Sequence, residues 1–467
     1  MVEVQSVRNK RIFKVDECTQ CGTCFTDCPE MHLPLEIAKN EIMRLIHKQE
    51  SEYVLKHCTS CFSCNLLCPY DCKPYQLILE NWNAQYLERG SPALNRFVCP
   101  TEKNNVWEML YQLTPKFERD QVRMWMRTPP KNTILLVGNY THLMSFILSG
   151  SALLDYFTVV DLLDHWECGA YPYQLGYLDL VEKIGQQVKI DLDEWGVKKI
   201  VTFLDAVEHM FNKVHPQEMG IDFKQNFMNF NTWLLNMIDS GKITIPNRVG
   251  MKVTIHDNCY SKSGGNNSTY WEQARKVISQ IGCEIVEMEH NRKDALCCGF
   301  GAGCSWQTGH VFNIPFDMMN VTEKRFQEVL ATGADSLVTY CSGCLYLFWA
   351  ARELLGYNLA IYHHIELVRL AMGENIDSSL NRHVERAWDL IAIITVVMLK
   401  GIFQKNFKVT KTKFTQKDKQ KWGAKRYTGL RIIRFGLKSK IIRNIYRRIF
   451  RRLMRRYTTK LELPQST

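Results

Sequence analysis

Three kinds of apolar pattern follow one another along the chain. In PLEIAKNEIMRLIHKQE (34–50), Leu35, Ala38, Ile42, Leu45 and Ile46 recur at three- and four-residue spacing, the period of one helical face. NTILLVGNY (132–140) is a short continuous apolar run between polar residues, which predicts a buried strand opening an α/β unit. MKVTIHDNCY (251–260), soon after Pro246, is a second such opening. The third pattern is SKIIRNIYRRIFRRLMRRY (439–457), where Ile441, Ile445, Ile449 and Leu453 sit at helical spacing among arginines.

The two strand openings lead into the same order of landmarks. HWECGAYPYQLG (165–176) and KKIVTFLDAVEHMF (198–211) follow the first; DALCCGFGAGCSW (294–306) and DSLVTYCSGCLYLF (335–348) follow the second. Two tandem α/β repeats are therefore expected, at 131–248 and 249–375. The polar and aromatic segment 96–130, ending at Thr128-Pro129-Pro130, reads as a linker. With a helical module at 1–95 and a basic helical tail at 376–467, the expected fold class is multidomain α/β.

Eighteen cysteines change the picture. That number means either the disulfide framework of an exported protein or metal chemistry in a reducing compartment. MVEVQSVRNKRIFKVDE, at the start, has neither the apolar core nor the small-residue cleavage site of a signal peptide, so a cytoplasmic protein with metal-bound cysteines is expected. Cys18, Cys21, Cys24 and Cys28, followed by Pro29, repeat their spacing in Cys58, Cys61, Cys64 and Cys68, followed by Pro69. Two-cluster ferredoxins have this spacing, and in them the fourth cysteine of each run serves the other cluster. One [4Fe-4S] cubane is accordingly expected on Cys18, Cys21, Cys24 and Cys68, and a second on Cys58, Cys61, Cys64 and Cys28. Zinc also uses CxxC pairs, but two matched quartets each ending in proline favour the clusters. Cys72 falls outside both.

The repeats are unequal. The second carries Cys259, Cys297, Cys298, Cys341 and Cys344 at the ends of its expected strands. The first keeps only Cys168, with Asn139, Glu167, Asp205 and Glu208 read as standing at the matching places. The order Cys, Cys-Cys-Gly, Cys-x-x-Cys, with HDNC, EIVEMEH, CCGFGAG, CSGC and YHHIEL around it, resembles the CCG domain of heterodisulfide reductase catalytic subunits. Behind a two-cluster ferredoxin module, over residues 10–370, the arrangement resembles the D subunits of those reductases and their relatives in sulfate-reducer membrane complexes and anaerobic glycerol-3-phosphate dehydrogenase.

The resemblance implies that the five cysteines hold one noncubane [4Fe-4S] cluster, and that the first repeat holds none. It also implies that Gly299, Gly301 and Gly303 let the backbone pass close to the sulfides and donate N–H bonds. The implied activity is reduction, or formation, of a disulfide or trisulfide of a thiol substrate or small carrier protein. A purely electron-transferring component without its own substrate, between a flavoprotein dehydrogenase and a membrane quinone site, is the alternative. Implied partners are a membrane cytochrome b-type or quinone-interacting subunit and other iron-sulfur or flavin subunits. His256, His363 and His364 are candidate proton donors that equally suit capping and packing, Asp205, Glu208 and Glu167 read as lining the partner side of the cavity or, in preference, as surface polars of a decayed site, and Cys283 and Cys304 lie outside the pattern.

Charge is concentrated at the end of the chain. Residues 400–467 hold 22 Lys and Arg against two acids, in a chain whose net charge is +11, so the remainder is acidic. DLIAIITVVMLKGIF (389–403) is too short an apolar run to span a bilayer. The basic amphipathic segment beyond it predicts a helix on an anionic membrane surface, placing the protein peripherally on the inner face of the cell membrane. Nucleic acid is the rival partner of such a tail; the electron-transfer cysteines and the lack of a nucleotide-binding loop disfavour it. A disordered, solvated tail is the other alternative.

Overall fold

The computed structural model describes residues 12–463, apart from 100–101, 103–104, 130, 132, 139–140, 142, 161–167, 264–268, 305–311, 402–404 and 410–426. The N-terminal module is built on α1 (Leu35–Ile46) and α2 (Pro74–Arg89), packed on each other. Ala38, Ile42 and Leu45 are buried as the spacing predicts, whereas Leu35, in the first turn, is exposed. The two cysteine loops flank these helices with one backbone shape. Gln20 and Gly22 in the first, and Ser60 and Phe62 in the second, all have positive φ. Such left-handed residues coil each loop tightly, as CxxCxxC needs if its thiols are to face one centre. Phe62 adopts this conformation without a glycine's freedom, at about 1 kcal/mol. Burial offsets it: the ring sits 4.4 Å from that of Tyr75 and 5.1 Å from that of Tyr260.

A buried carboxylate fixes the approach to the second loop. Glu41, on α1, accepts hydrogen bonds from Ser51 Oγ (2.6 Å) and from the backbone N–H of Glu52, Tyr53 and Val54 (2.9, 3.2 and 2.8 Å). These amides begin the helical turn Val54–His57 that delivers Cys58. The carboxylate takes up N–H groups that the turn cannot satisfy internally.

The segment expected to be a linker is instead two helices, α3 (Val106–Leu113) and α4 (Lys116–Arg127). Asn105 caps α3 by accepting from Glu108 N at 2.8 Å, and Val106, Trp107, Met109 and Leu110 are buried. Its aromatic residues therefore serve one packed face.

Two four-stranded parallel sheets follow. Strands β1 (Thr133–Leu136), β2 (Thr158–Val160), β3 (Lys199–Thr202) and β4 (Asn226–Asn229) lie in the order β2-β1-β3-β4. Strands β5 (Lys252–His256), β6 (Glu284–Ile285), β7 (Ser336–Thr339) and β8 (Ala360–His363) repeat it as β6-β5-β7-β8. Helix α5 (Leu178–Trp195) precedes β3, and α6 (Ile314–Ala331) precedes β7. Helices α7 (Ser342–Leu355) and α8 (His364–Ala371) complete the second unit.

The C-terminal region is part of the body. Helix α9 (Asp377–Gly401) buries Trp388, Leu390, Ile391 and Ile393 and packs on α7 and α3, so its apolar run is satisfied within the protein. No helix among the described residues is long and apolar enough to cross a membrane. Helices α10 (Thr428–Gly436) and α11 (Lys440–Tyr457) fold back onto this body. Arg434 pairs with Asp389 at 2.6 Å, Arg447 with Glu353 at 2.8 Å, and Tyr446 OH meets Thr395 Oγ1 at 2.7 Å. Leu453 packs against the body, while Ile441, Ile445 and Ile449 are 72%, 51% and 55% exposed.

Replacing Glu41 with Ala should strand the amides of residues 52–54 and the Ser51 hydroxyl. Denaturant unfolding is expected to register a loss of about 3 kcal/mol, against less than about 0.5 kcal/mol for Glu36→Ala, whose partner Lys39 is a surface pair.

Candidate functional site: three cysteine centres

The cysteines singled out in the sequence gather into adjoining neighbourhoods. Burial, then the charges of Cys68, Cys18 and Cys21, push the Cys24 thiol well up, so these four sulfurs share one centre. Burial, then Cys58, Cys24, Cys61 and Cys28, do the same to Cys64. Cys68 is thus close enough to Cys24, and Cys28 to Cys64, for charge to act between the two runs, and Cys24 neighbours both groups. Cys72 is buried beside the first, its backbone N–H donating to Cys68 Sγ at 3.3 Å.

The third centre forms where the second sheet changes direction. The chain leaves β5 for β6 on one side and returns as β7 on the other, opening a crevice at the carboxyl ends of β5 and β7. Cys259 follows β5, Cys341 and Cys344 follow β7, and Cys297 and Cys298 enter on the loop after β6. Hydrogen bonds from Cys297 and Cys344 hold the Cys298 thiol well below its ordinary range, while those partners are pushed up. Gly299 N–H donates to Cys297 Sγ at 3.3 Å and Phe300 N–H to Cys298 Sγ at 3.5 Å. Gln174 Nε2 donates to Cys259 Sγ at 3.4 Å and to the Ser60 carbonyl at 3.2 Å, tying the first repeat to both centres.

A cavity of about 80 Å³ adjoins these sulfurs. The five cysteines line it together with Cys61 of the second centre and Cys168, Leu204, Asp205 and Val207 of the first repeat. Four soft thiols suit an iron-sulfur cubane, and five with a vicinal pair exceed the four ligands of a structural zinc. The residues present therefore fit clusters at all three centres.

Strand register corrects the matching of the two repeats. Leu136 pairs with Thr202 as His256 pairs with Thr339, so Leu204 and Val207 stand where the second repeat has Cys341 and Cys344. Asp205 and Glu208 are each one residue further on. The thiol positions became apolar, and Asp205 is not a surface polar residue. It is buried, and Asn258 Nδ2 donates to its Oδ2 at 2.8 Å, with Asn229 Nδ2 donating to its other oxygen. Burial pushes its carboxyl up to about 6, and Glu208 and Asp257 add to the rise. Glu208 is half-buried and accepts from Asn212 Nδ2 at 2.9 Å and from Tyr270 OH. Asn139, Glu167 and the side chain of Cys304 lie outside the described residues.

The three glycines do different work. Gly299 has φ +103°, and a Cβ there would meet Met318 O at 2.3 Å. A Cβ on Gly301 would fall 1.9 Å from the Thr59 carbonyl oxygen, so this glycine lets the loop dock on the ferredoxin module. A Cβ on Gly303 would meet the flexible Met318 side chain at 3.2 Å and Ile314 at 3.5 Å.

Of the three candidate histidines, His256 adjoins the sulfurs: its ring and the sulfurs of Cys298 and Cys344 place ligand atoms within 4.8 Å of one another. Arg325 Nε donates to His256 Nδ1 at 3.2 Å, which leaves the ring proton on Nε2. His363 caps α8 in a capping box with Glu366, and His364 Nε2 meets Asn231 Oδ1 at 2.6 Å. Cys283 is buried at the edge of the second sheet.

Sequence reasoning missed Lys262 and Glu30. Lys262 is buried in the cavity wall, donating to Ser63 Oγ at 2.7 Å and to the Ala295 carbonyl. Glu30 Oε1 accepts from Cys297 N at 2.8 Å. Both join segments far apart in sequence, and neither belongs to a periodic pattern or a spaced motif.

Gly301→Ala should force the ferredoxin module away from the third centre, lowering the thermal midpoint by an amount equivalent to about 2–3 kcal/mol. Gly429→Ala, with open space around it, should not. Asp205 carries a pH signature. Its folded pKa of about 6 exceeds the ordinary 3.8, so its stability contribution is present below pH 3.8 and lost as pH rises through 6. Denaturation measured against pH should show wild type declining relative to Asp205→Asn between pH 4 and 7 by up to about 3 kcal/mol.

Comparison with known proteins agrees with this geometry. Residues 253–348 match the family described as a cysteine-rich domain, CCG, and residues 10–69 match the 4Fe-4S dicluster domain. The D subunit of the dihydromethanophenazine:CoB–CoM heterodisulfide reductase of Methanosarcina mazei is 21% identical over 80% of this chain and 97% of its own length. The B subunit of the fumarate reductase (CoM/CoB) of Methanothermobacter marburgensis is 25% identical over 71% of this chain and 67% of its own. The EtfAB:quinone oxidoreductase of Syntrophomonas wolfei is 26% identical over 38% of this chain, which spans only 24% of that protein. The chain carries a 4Fe-4S dicluster domain and a CCG domain, and over 80% of its length it is a homologue of the heterodisulfide reductase D subunit.

Proposed function

We propose that this iron-sulfur oxidoreductase passes electrons singly through two [4Fe-4S] cubanes to a noncubane [4Fe-4S] cluster held by Cys259, Cys297, Cys298, Cys341 and Cys344. There a disulfide or trisulfide, of a small thiol or a carrier protein, is reduced or, in reverse, formed. One observation carries the reading: Cys61 of the second centre stands in the wall of the cavity that the five cysteines line. Clusters bound there supply one-electron transfer and an iron able to take a sulfur.

Reducing a disulfide takes two electrons and two protons, breaks one S–S bond and makes two S–H bonds. The chain's own groups manage the charge and the protons. Backbone N–H of Gly299 and Phe300 and the Gln174 amide donate to ligand sulfurs and stabilise them as thiolates. His256 stands beside Cys298 and Cys344 with its proton on Nε2, which has no hydrogen-bond partner among the described residues. Asp205 is the cavity-lining carboxyl that can hold a proton at Oδ near pH 6, and Lys262 supplies a buried cation opposite. Leu204, Val207, Tyr171 and Phe300 keep bulk water out.

A second reading rests on the outer face of the tail. Ile432, Phe435, Ile441, Ile445 and Ile449 are exposed there among lysines and arginines. This face suits an anionic membrane surface. It is as compatible with a purely electron-transferring component between a flavoprotein dehydrogenase and a quinone site, for which the name of the Syntrophomonas relative is the parallel, as with the first reading. In both readings the tail seats the chain on the inner face of the cell membrane, beside a cytochrome b-type or quinone-interacting subunit.

Anaerobic turnover of small disulfides and trisulfides with a one-electron donor separates the readings. Cys61→Ala and Cys298→Ala should each lower turnover by about 100-fold or more, with only the second losing thiol binding. Turnover retained in both variants would sink the first reading. Quinone reduction by a wild type inert towards every sulfur substrate would select the second.

A further inference from the structure

A groove of about 600 Å³, within the size of small-molecule sites, is lined in part by Glu30, Thr59 and Ala302 beside the cysteine loops. Three segments distant in sequence form it: the loop Lys56–Thr59, helix α6 around Lys324, and the end of the tail from Arg451 to Leu461. Lys56, Lys324, Arg451, Arg455 and Lys460 line it, against Glu30, Asp317 and Glu323. Each of the acids is already engaged. Glu30 accepts from Cys297 N, Asp317 from Thr459 N and Oγ1 at 2.6 and 2.8 Å, and Glu323 from Tyr357 OH at 3.2 Å. Among the cations, Arg451 donates to the Leu355 carbonyl. Lys56, Arg455 and Lys460 have no hydrogen-bond or ion-pair partner among the described residues, and Lys324 makes no hydrogen bond among them, though its charge acts on Glu30.

A second observation points to a ligand. Thr59 is 4% exposed, lines the groove, and its Oγ1 has no partner among the described residues. A buried hydroxyl without a partner is costly, and a ligand acceptor would satisfy it. Val321, Leu355, Met454 and Leu461 add apolar wall to this polar end.

We propose that the groove binds a soluble small molecule through a phosphoryl group, held by Lys56, Lys324, Arg455 and Lys460, with Thr59 Oγ1 donating to one of its oxygens. Four cations from three directions match the multiple charge of a phosphate or pyrophosphate better than a single carboxylate. A lipid head group carries the same chemistry, but the tail's geometry favours the soluble source. Arg451 lies about 200° around the helix from Ile449 and Arg455 about 40° from Ile441, so most of the groove wall on α11 faces away from the exposed apolar stripe. The tail thereby forms one wall of a site whose floor, Thr59, also touches the third centre: Cys297 Sγ lies 3.8 Å from the Thr59 carbonyl. The site does not depend on the disulfide chemistry proposed above.

Calorimetric titration of the cluster-loaded protein with inorganic pyrophosphate at fixed ionic strength tests this. The expected result is saturable binding, weakened about tenfold or more by Lys56→Gln with Lys324→Gln. Lys198→Gln with Lys199→Gln, the same charge change on the exposed edge of the first repeat, should leave it unaltered. Thr59→Val should also weaken binding while keeping the ligand-free melting temperature at or above that of wild type, which separates loss of a contact from misfolding. No saturable binding at millimolar pyrophosphate, or equal weakening by both lysine pairs, would overturn the site. Displacement of pyrophosphate by dihexanoyl phosphatidylglycerol, abolished by Ile445→Ser, would overturn the soluble source.

Discussion

A thiolate loses a large hydration free energy on burial, and this chain buries Cys28, Cys64, Cys297, Cys298 and Cys344 in one continuous core. The rest of the structure answers that constraint. Backbone N–H groups of Gly299 and Phe300 and the Gln174 amide are fixed donors to the sulfurs, with His256 and the buried Lys262 beside them. Several come from parts of the chain that carry no cysteine ligand. Gln174 reaches in from the first repeat, and Glu30 of the ferredoxin module receives the Cys297 amide. The sequential units consequently assemble as one packed object.

The unequal repeats follow from the same constraint. Leu204 and Val207 stand at the positions that correspond to Cys341 and Cys344 and line the cavity, and a Cβ added to Gly138 would lie 2.8 Å from Leu204. Asp205 enters the same cavity with both oxygens hydrogen-bonded, a carboxyl poised to titrate where the second repeat has Ser342. The first repeat has become the wall of its neighbour's site.

Sequence spacing reveals most of the donor set because CxxCxxC and CCG carry their geometry in a few consecutive residues. The same holds for β1, β5 and the tandem strand order. It fails where the deciding contact is long-range. Spacing alone matches Asp205 to a thiol one residue out of register, which only the β1–β3 pairing resolves. Residues 96–130 resemble a linker because their apolar positions are completed by α9, more than 250 residues away in sequence. The tail's helical period is legible, but not that α11 spends one face on α6 and α7 and leaves only Ile441, Ile445 and Ile449 of its predicted stripe outside. Lys262 and Glu41 give no signal, since a buried charge is recognisable only by its partners.

The central claim is that three cysteine centres, not two, hold four-iron clusters. Iron and acid-labile sulfide per chain, measured on anaerobically reconstituted protein, test it most directly. The account predicts about twelve iron atoms in wild type and about eight when Cys297 and Cys298 are both replaced by Ala, with the first repeat contributing none. About eight iron atoms in fully reconstituted wild type, unchanged by that double substitution, would contradict it.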